Sequence, residues 1–416
     1  MLEARDRVGG RTLSQELGGG TFDLGGQWIG PGQKRVVALT RELGLETFPT
    51  HDKGRKIMVA GGAVRSYRFT IPRLSMLGLL GLARAFAKIE LTSRRLPRDE
   101  PWRAPAASGL DALSADDLAR HLPADARHVF AAAVRTVFGA EPRDLSLLYF
   151  LSYQRAGGGL LNLVGVDGGA QEQRFVAGAQ SLSRTLAARL GGDVTLSAPV
   201  RRIAQRGESL EVDAGEHRVS ARFAVVALAP TLTSRIAFEP ALTGARADIG
   251  ARLPMGATVK ILALYNESFW RARGLSGEAV FDEGPLSVDF DNTTHDGGQA
   301  ALVGFIVGDD ARSFSARDPD ERRAAVLASL ARAFGPQASV PVVYHELDWT
   351  TEEWSGGCPV SIMPPGSMME CGPVLRAPVG RIHWAGTETA TEATGYLEGA
   401  IEAGERAARE VLSRLS

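Results

Sequence analysis

Cysteine is almost absent. The 416-residue chain has two, Cys358 and Cys371, too few for a disulfide framework. Lysine is nearly as scarce, five against 42 arginines, a bias that reads as the codon usage of a bacterial genome. No apolar run reaches the roughly 20 residues that span a bilayer. The longest, Met76 to Leu82 continuing to Ile89, is broken by Arg84 and Lys88. It reads more simply as a half-buried helix over a binding cleft than as a helix lying on a membrane surface. Nothing at the N-terminus has the basic flank and apolar core of a signal peptide. A formal net charge of −1 gives no electrostatic reason to expect nucleic acid or an anionic membrane as partner. The seven histidines are scattered, with no helical i, i+4 pair to hold a metal. These absences leave a cytoplasmic globular protein with no metal site and no transmembrane anchor. Monomer and homodimer both stay open.

A further absence sits at the start. Leu2-Glu3-Ala4-Arg5-Asp6-Arg7-Val8-Gly9-Gly10-Arg11 reads as the second half of a dinucleotide-binding unit. A strand ending in an acid presents a carboxylate to a ribose, usually about 20 residues after a glycine-rich phosphate loop. Glu3 is that acid, and no such loop precedes it. The first βα unit is therefore expected to be missing, either because Met1 lies inside a longer gene or because the chain is a fragment. Gly9 and Gly10 let backbone approach a flat ligand closely.

The length implies two domains. A helix is expected from Val36 to Leu45, and helical stretches over Leu110 to Val137, Leu145 to Gln154, Leu182 to Leu190 and Pro319 to Phe334. Strands are expected at Val194 to Leu196, Leu210 to Val212, Thr258 to Leu264 and Ala300 to Val307. The apolar run Phe223 to Ala229 reads as a central strand buried on both faces. The final helix is expected from about Thr394, its N-terminus favouring an anion.

Lys260 stands out before any comparison. It is the only lysine after Lys88 and lies in an apolar strand, where a charge is costly unless paired or used. A paired structural lysine and a functional one are equally good readings of that fact. A lone cysteine such as Cys358 is more often a small buried hydrophobe, and Cys371 reads that way.

Trp384-Ala385-Gly386-Thr387-Glu388-Thr389-Ala390-Thr391, Gly395-Tyr396-Leu397-Glu398-Gly399-Ala400, Asp23-Leu24-Gly25-Gly26-Gln27-Trp28, Pro254-Met255-Gly256-Ala257-Thr258-Val259-Lys260 and Ser355-Gly356-Gly357-Cys358 resemble the flavin-dependent amine oxidases, the monoamine oxidases most of all. The resemblance runs from Leu2 to about Leu412 and is loosest between His51 and about Ala131. It implies an α/β fold: a discontinuous, Rossmann-like FAD-binding domain (1–48, 176–250 and 352–416) interleaved with an α+β substrate domain (49–175 and 251–351). The FAD contacts it implies are Glu3, Arg5, Gly9, Gly10, Arg11, Gly25, Gly26, Gln27, Trp28, Val200, Gly386, Thr387, Glu388 and Leu397, with Cys358 as an optional thioether link. Lys260 would hold a water against the flavin, favouring a reading of this residue as functional. Tyr396 would form one wall of an aromatic cage around the amine. The second wall should follow the cysteine, where this chain has Pro359. Gln171, Val288 and Phe305 would line the rest of the cavity. The implied reaction takes a hydride equivalent from the carbon bearing the amine, giving an imine that hydrolyses to aldehyde and ammonia, with oxygen leaving as hydrogen peroxide. A polyamine or L-amino-acid oxidase of the same superfamily is the nearest alternative, and a flavin-free remnant acting as a binding protein is the alternative of another class.

Overall fold

Thr258–Tyr265 is buried at every position, and the largest sheet of the computed structural model, which describes residues 1–72 and 74–415, is built around it. The sheet holds seven strands: β1 (Arg55–Ala60), β2 (Ala63–Tyr67), β3 (Thr258–Tyr265), β4 (Leu275–Phe281), β5 (Val288–Asp291), β6 (Ala300–Val307) and β7 (Val343–Asp348). Their spatial order is β7-β3-β6-β5-β4-β1-β2. All neighbours are antiparallel except the parallel β4–β1 pair. Alternate side chains leave a strand on opposite faces, and here both faces are covered. One packs Leu262, Leu264, Val288, Phe290 and Val303 with Leu24 and Phe22. The other packs Ile261, Ala263, Leu302 and Ile306 against Val326, Leu330 and Phe334 of the helix Pro319–Phe334.

Five helices matter for the site: α1 (Lys34–Glu42), α2 (Met76–Ser93), α3 (Ala124–Phe138), α4 (Leu147–Ala156) and α5 (Leu397–Leu412). Leu82 and Ile89 of α2, Phe130 and Val134 of α3, and Leu148 and Phe150 of α4 share one apolar core. The single helical stretch expected over Leu110 to Val137 is in fact three, Ala107–Asp111, Asp116–Ala119 and α3. Asp117 Oδ2 accepts both the backbone N–H and the hydroxyl of Ser114 (2.8 and 3.0 Å), the side-chain competition that ends helices. Pro123 then precedes α3. At the start of α1, the Glu398 carboxylate accepts the N–H groups of Arg35 and Val36 (3.1 and 2.9 Å). Those donors have no partner within a helix, so this contact ties α1 to α5.

Two strand expectations change. The run Phe223 to Ala229 contributes only the three-residue strand Ala224–Val226, parallel to Ile382–Trp384. Its Val225 is 47% exposed, so it is not buried on both faces; these two strands form a sheet of their own among the described residues. Val194 to Leu196 reduces to a single bridge between Leu2 and Thr195. The final helix begins at Leu397 rather than Thr394, because the preceding turn is held by Gly395 N–H donating to Thr387 Oγ1 (2.7 Å). Gly395 has φ +86°, and a Cβ there would lie 2.2 Å from the Tyr153 hydroxyl, so only glycine fits.

Candidate active site

In β3, Lys260 points to the same face as Leu262 and lies opposite Phe305 of β6. It is 2% exposed. Its ammonium donates to Gly25 O (2.8 Å) and to Gln27 Oε1. The rings of Phe305 and Trp28 lie 5.5 and 5.9 Å from Nζ, within reach of a cation–π attraction. Burial lowers the Lys260 amine to about 7, against the opposing pull of Asp23 and Cys358. The lysine is paired, but by neutral acceptors that leave its third N–H available.

Gln27 is held in turn. Its Nε2 donates to Asn292 Oδ1 (3.0 Å), which leaves its oxygen for Lys260. Asn292 also receives Arg174, whose guanidinium donates to Asn292 O (2.9 Å), to Asn292 Oδ1 and to Thr293 O and stands 4.5 Å over Phe48. Burial lowers Arg174 to about 10. No sequence signal marked Asn292. Asp23 opens the segment Asp23-Leu24-Gly25-Gly26-Gln27-Trp28, and its carboxylate accepts Ser14 Oγ (2.6 Å) and Ala179 N–H (2.9 Å).

Val288 and Phe305 are register partners in β5 and β6, and Trp28 packs edge-on against Phe290 (5.3 Å) and tilted against Phe305 (5.7 Å). These form an aromatic wall beside Lys260. A second aromatic group lies on the helical side, where Tyr396 packs against the core containing Phe138, Tyr149 and Tyr153. Burial raises the Tyr396 phenol, so it stays protonated. The segment from Cys358 to Ser361 touches both sides: Thr258 Oγ1 donates to Cys358 O (3.0 Å) and Tyr149 Oη donates to Ser361 O (3.0 Å). Burial pushes the Cys358 thiol up to about 11, although Arg11 and Lys260 pull it down. Arg11 closes this part of the site, with a bidentate pair to Glu388 (2.6 and 3.0 Å) and a bond to Pro359 O (2.7 Å). Thr387 Oγ1 donates to Tyr396 O (3.0 Å), which joins the turn after Gly386 to α5.

Ala198 N–H donates to Glu3 O (2.8 Å), which brings Glu3 to the segment leading to Val200. The Glu3 carboxylate accepts Arg5 N–H (3.0 Å), while the Arg5 guanidinium is spent on Glu352 (3.1 and 2.7 Å) and Ser355 (2.7 Å). Gly9 and Gly10 turn at φ +111° and +57°. Cys371 is fully buried in the helical core. Among the described residues, no group of three or more His, Cys, Asp or Glu side chains could hold a metal ion.

The arrangement fits a flavin on three counts. Lys260 has an N–H to spare beside an aromatic wall. A Cβ on Gly26 would meet nothing within 4 Å, so backbone is open to a ligand there. Trp28 Nε1 and Gln171 Oε1 are buried with no partner among the described residues, whereas buried polar atoms ordinarily have one.

The sequence profile of the flavin containing amine oxidoreductases matches residues 1–412. The Mycobacterium tuberculosis protein AofH, which carries the name flavin-containing monoamine oxidase, is 42% identical over the whole chain and 91% of its own length. Cyclohexylamine oxidase from Brevibacterium oxydans IH-35A superposes with a TM-score of 0.94 at 34% identity, covering 100% of this chain and 93% of that one. Wild-type putrescine oxidase bound to putrescine superposes at 0.95 and 31% identity, covering 99% and 93%. The chain belongs to the flavin-containing amine oxidoreductases, and it is an enzyme of that family.

Proposed function

We propose that this enzyme uses FAD to oxidise a primary monoamine with an apolar side chain, passing the electrons to oxygen. The observation that carries this reading is the buried Lys260 ammonium, held by Gly25 O and Gln27 Oε1 beside Trp28 and Phe305. A bound flavin supplies the acceptor for the two electrons and the hydrogen leaving the carbon next to nitrogen. Lys260 would hold a water or a developing negative charge on the reduced oxygen species through its third N–H. Tyr396 and Phe305 would orient the neutral amine and keep water out. Glu3, Arg5, Gly9, Gly10, Arg11 and Val200 would hold the nucleotide end. Gly25, Gly26, Gln27, Trp28, Gly386, Thr387, Glu388 and Leu397 would hold the ring end. The segments 1–48, 176–250 and 352–416 would form the FAD-binding part, and 49–175 with 251–351 the substrate part. The gathering of strands 55–67 and 258–348 in one sheet supports that division.

Charge in the cavity favours a monoamine over its rivals. An amino acid needs a free guanidinium for its carboxylate, yet Arg11 is paired with Glu388 and Arg174 with backbone carbonyls, and the spare N–H of Lys260 is the one assigned to the reduced oxygen species. A polyamine needs a free acid for its second ammonium, yet Glu388 is taken by Arg11 and Asp23 by Ser14 and Ala179. Oxygen uptake with an arylalkylamine, a diamine and an L-amino acid tests this. The arylalkylamine should give the highest kcat/KM, and preference for either rival would replace the monoamine reading.

Cys358 is proposed as the point of flavin attachment. Acid precipitation of the wild-type protein should leave yellow colour in the pellet, and Cys358→Ser should move it to the supernatant. Colour in the wild-type supernatant would establish a non-covalent cofactor.

A further inference from the structure

Helix α2 carries apolar side chains where a soluble helix carries polar ones. At 100° per residue, Met76, Leu80, Ala83, Ala87 and Leu91 share one face, and all are exposed. Met76 and Leu77 are 74% and 72% exposed, and Phe69, just before the helix, is 81% exposed. The buried positions, Leu82, Ala85 and Ile89, lie on the opposite side against α3 and α4. Contiguous apolar surface of this kind marks an interaction site.

Charge says what covers it. Residues 64–95 contain seven basic side chains, Arg65, Arg68, Arg73, Arg84, Lys88, Arg94 and Arg95, against one acid, Glu90. The chain's net charge of −1 therefore conceals a strongly basic stretch around this face. Arg65, Arg68, Arg84 and Lys88 are exposed, and among the described residues none has an acidic partner. Glu90 is paired with Arg94 (2.8 Å). Asp125, beside the start of α2, accepts Ser75 N–H (2.7 Å).

We infer that α2 and the segment before it dock on an anionic lipid surface, the apolar face of Met76, Leu77 and Leu80 entering the headgroup boundary and Arg84 and Lys88 meeting the lipid charge. A second copy of this chain fits worse. A twofold interface places the same patch on both sides, and here that would set two basic surfaces against each other. A convex helix face with side chains of mixed size also suits a bilayer, which requires no complementary shape.

The test is co-sedimentation with vesicles of phosphatidylcholine alone or mixed with phosphatidylglycerol, alongside light scattering. Wild-type protein should bind the anionic vesicles at least about tenfold more strongly than the neutral ones, and lose that binding in high salt. Leu77→Ser with Leu80→Ser, and separately Arg84→Glu with Lys88→Glu, should each weaken binding about tenfold or more. Both variants should oxidise a small soluble amine at the wild-type rate. Absent wild-type binding to anionic vesicles, or variants that bind as well as wild type, would overturn the inference. So would a wild-type dimer that Leu77→Ser with Leu80→Ser makes monomeric, which would identify the occupant as a second copy.

Discussion

Replacing Lys260 by methionine should cut amine-dependent oxygen uptake about 100- to 1000-fold, the usual effect of removing one preorganised electrostatic contact, and leave the protein folded. The stability part has a definite sign. The lysine amine is lowered from 10.5 to about 7 by burial. Below pH 7 it is charged in both native and unfolded states, and the fold bears the full cost of desolvation. Between pH 7 and 10.5 the unfolded chain binds more protons than the native one, so wild-type stability rises with pH in that window. At pH 7 the methionine side chain removes a desolvation cost of a few kcal/mol. It also strips Gly25 O and Gln27 Oε1 of their donor, at about 1–3 kcal/mol each. The two nearly offset, so melting temperatures should agree within a few degrees at pH 7 and diverge in favour of wild type by pH 9. For activity, kcat/KM should rise with pH in both proteins as the substrate amine deprotonates. Only wild type should show a second transition near pH 7. A methionine variant with wild-type turnover would reduce Lys260 to a structural residue.

Lys260 was legible because its strand is apolar throughout and it is the only lysine after position 88. Periodicity placed β6 and the helix Pro319–Phe334 at their observed bounds. It could not reveal what holds the ammonium. Gln27 sits in a motif read as a cofactor contact, and within the protein its side chain bonds Lys260 and Asn292; Asn292 comes from a strand end 265 residues away. Such a partner is set by the register of β5 on β6, which no local pattern encodes. Sequence also misled over Phe223 to Ala229, since an apolar run records suitability for burial and not the number of strands available beside it. Alternation alone is no surer guide to exposure. Val288-Asp289-Phe290-Asp291 alternates as a half-exposed strand should, yet all four residues are buried, because helix Pro319–Phe334 and its neighbours cover the face that the acids share.

Asp289 is where that hidden face has its largest consequence. It is fully buried, and among the described residues both carboxyl oxygens lack a hydrogen-bond partner. Across the sheet it meets Ala279 and Gly304, neither of which has a side-chain donor. The donors around its companion are taken: Trp270 Nε1 and the Arg271 guanidinium all go to Asp291 (2.6 to 2.8 Å). Burial, with Asp291 adding to it, raises the Asp289 carboxyl well above its ordinary value. The unfolded chain releases this proton near pH 4, while the native protein keeps it. From there upward the native state binds more protons, so stability falls as pH rises, by about 1.4 kcal/mol per pH unit until the native carboxyl itself ionises. Asp289→Asn removes the titration while nearly preserving shape. Its melting temperature should match wild type near pH 4 and exceed it increasingly toward pH 7, by about 2–4 °C for each kcal/mol in a domain of 150–250 residues. Lys260 and other shifted groups titrate alike in both proteins, so the difference between the two curves isolates Asp289. Parallel curves from pH 4 to 7 would mean that the native carboxyl is ionised and solvated, and that the far face of β5 is open to water.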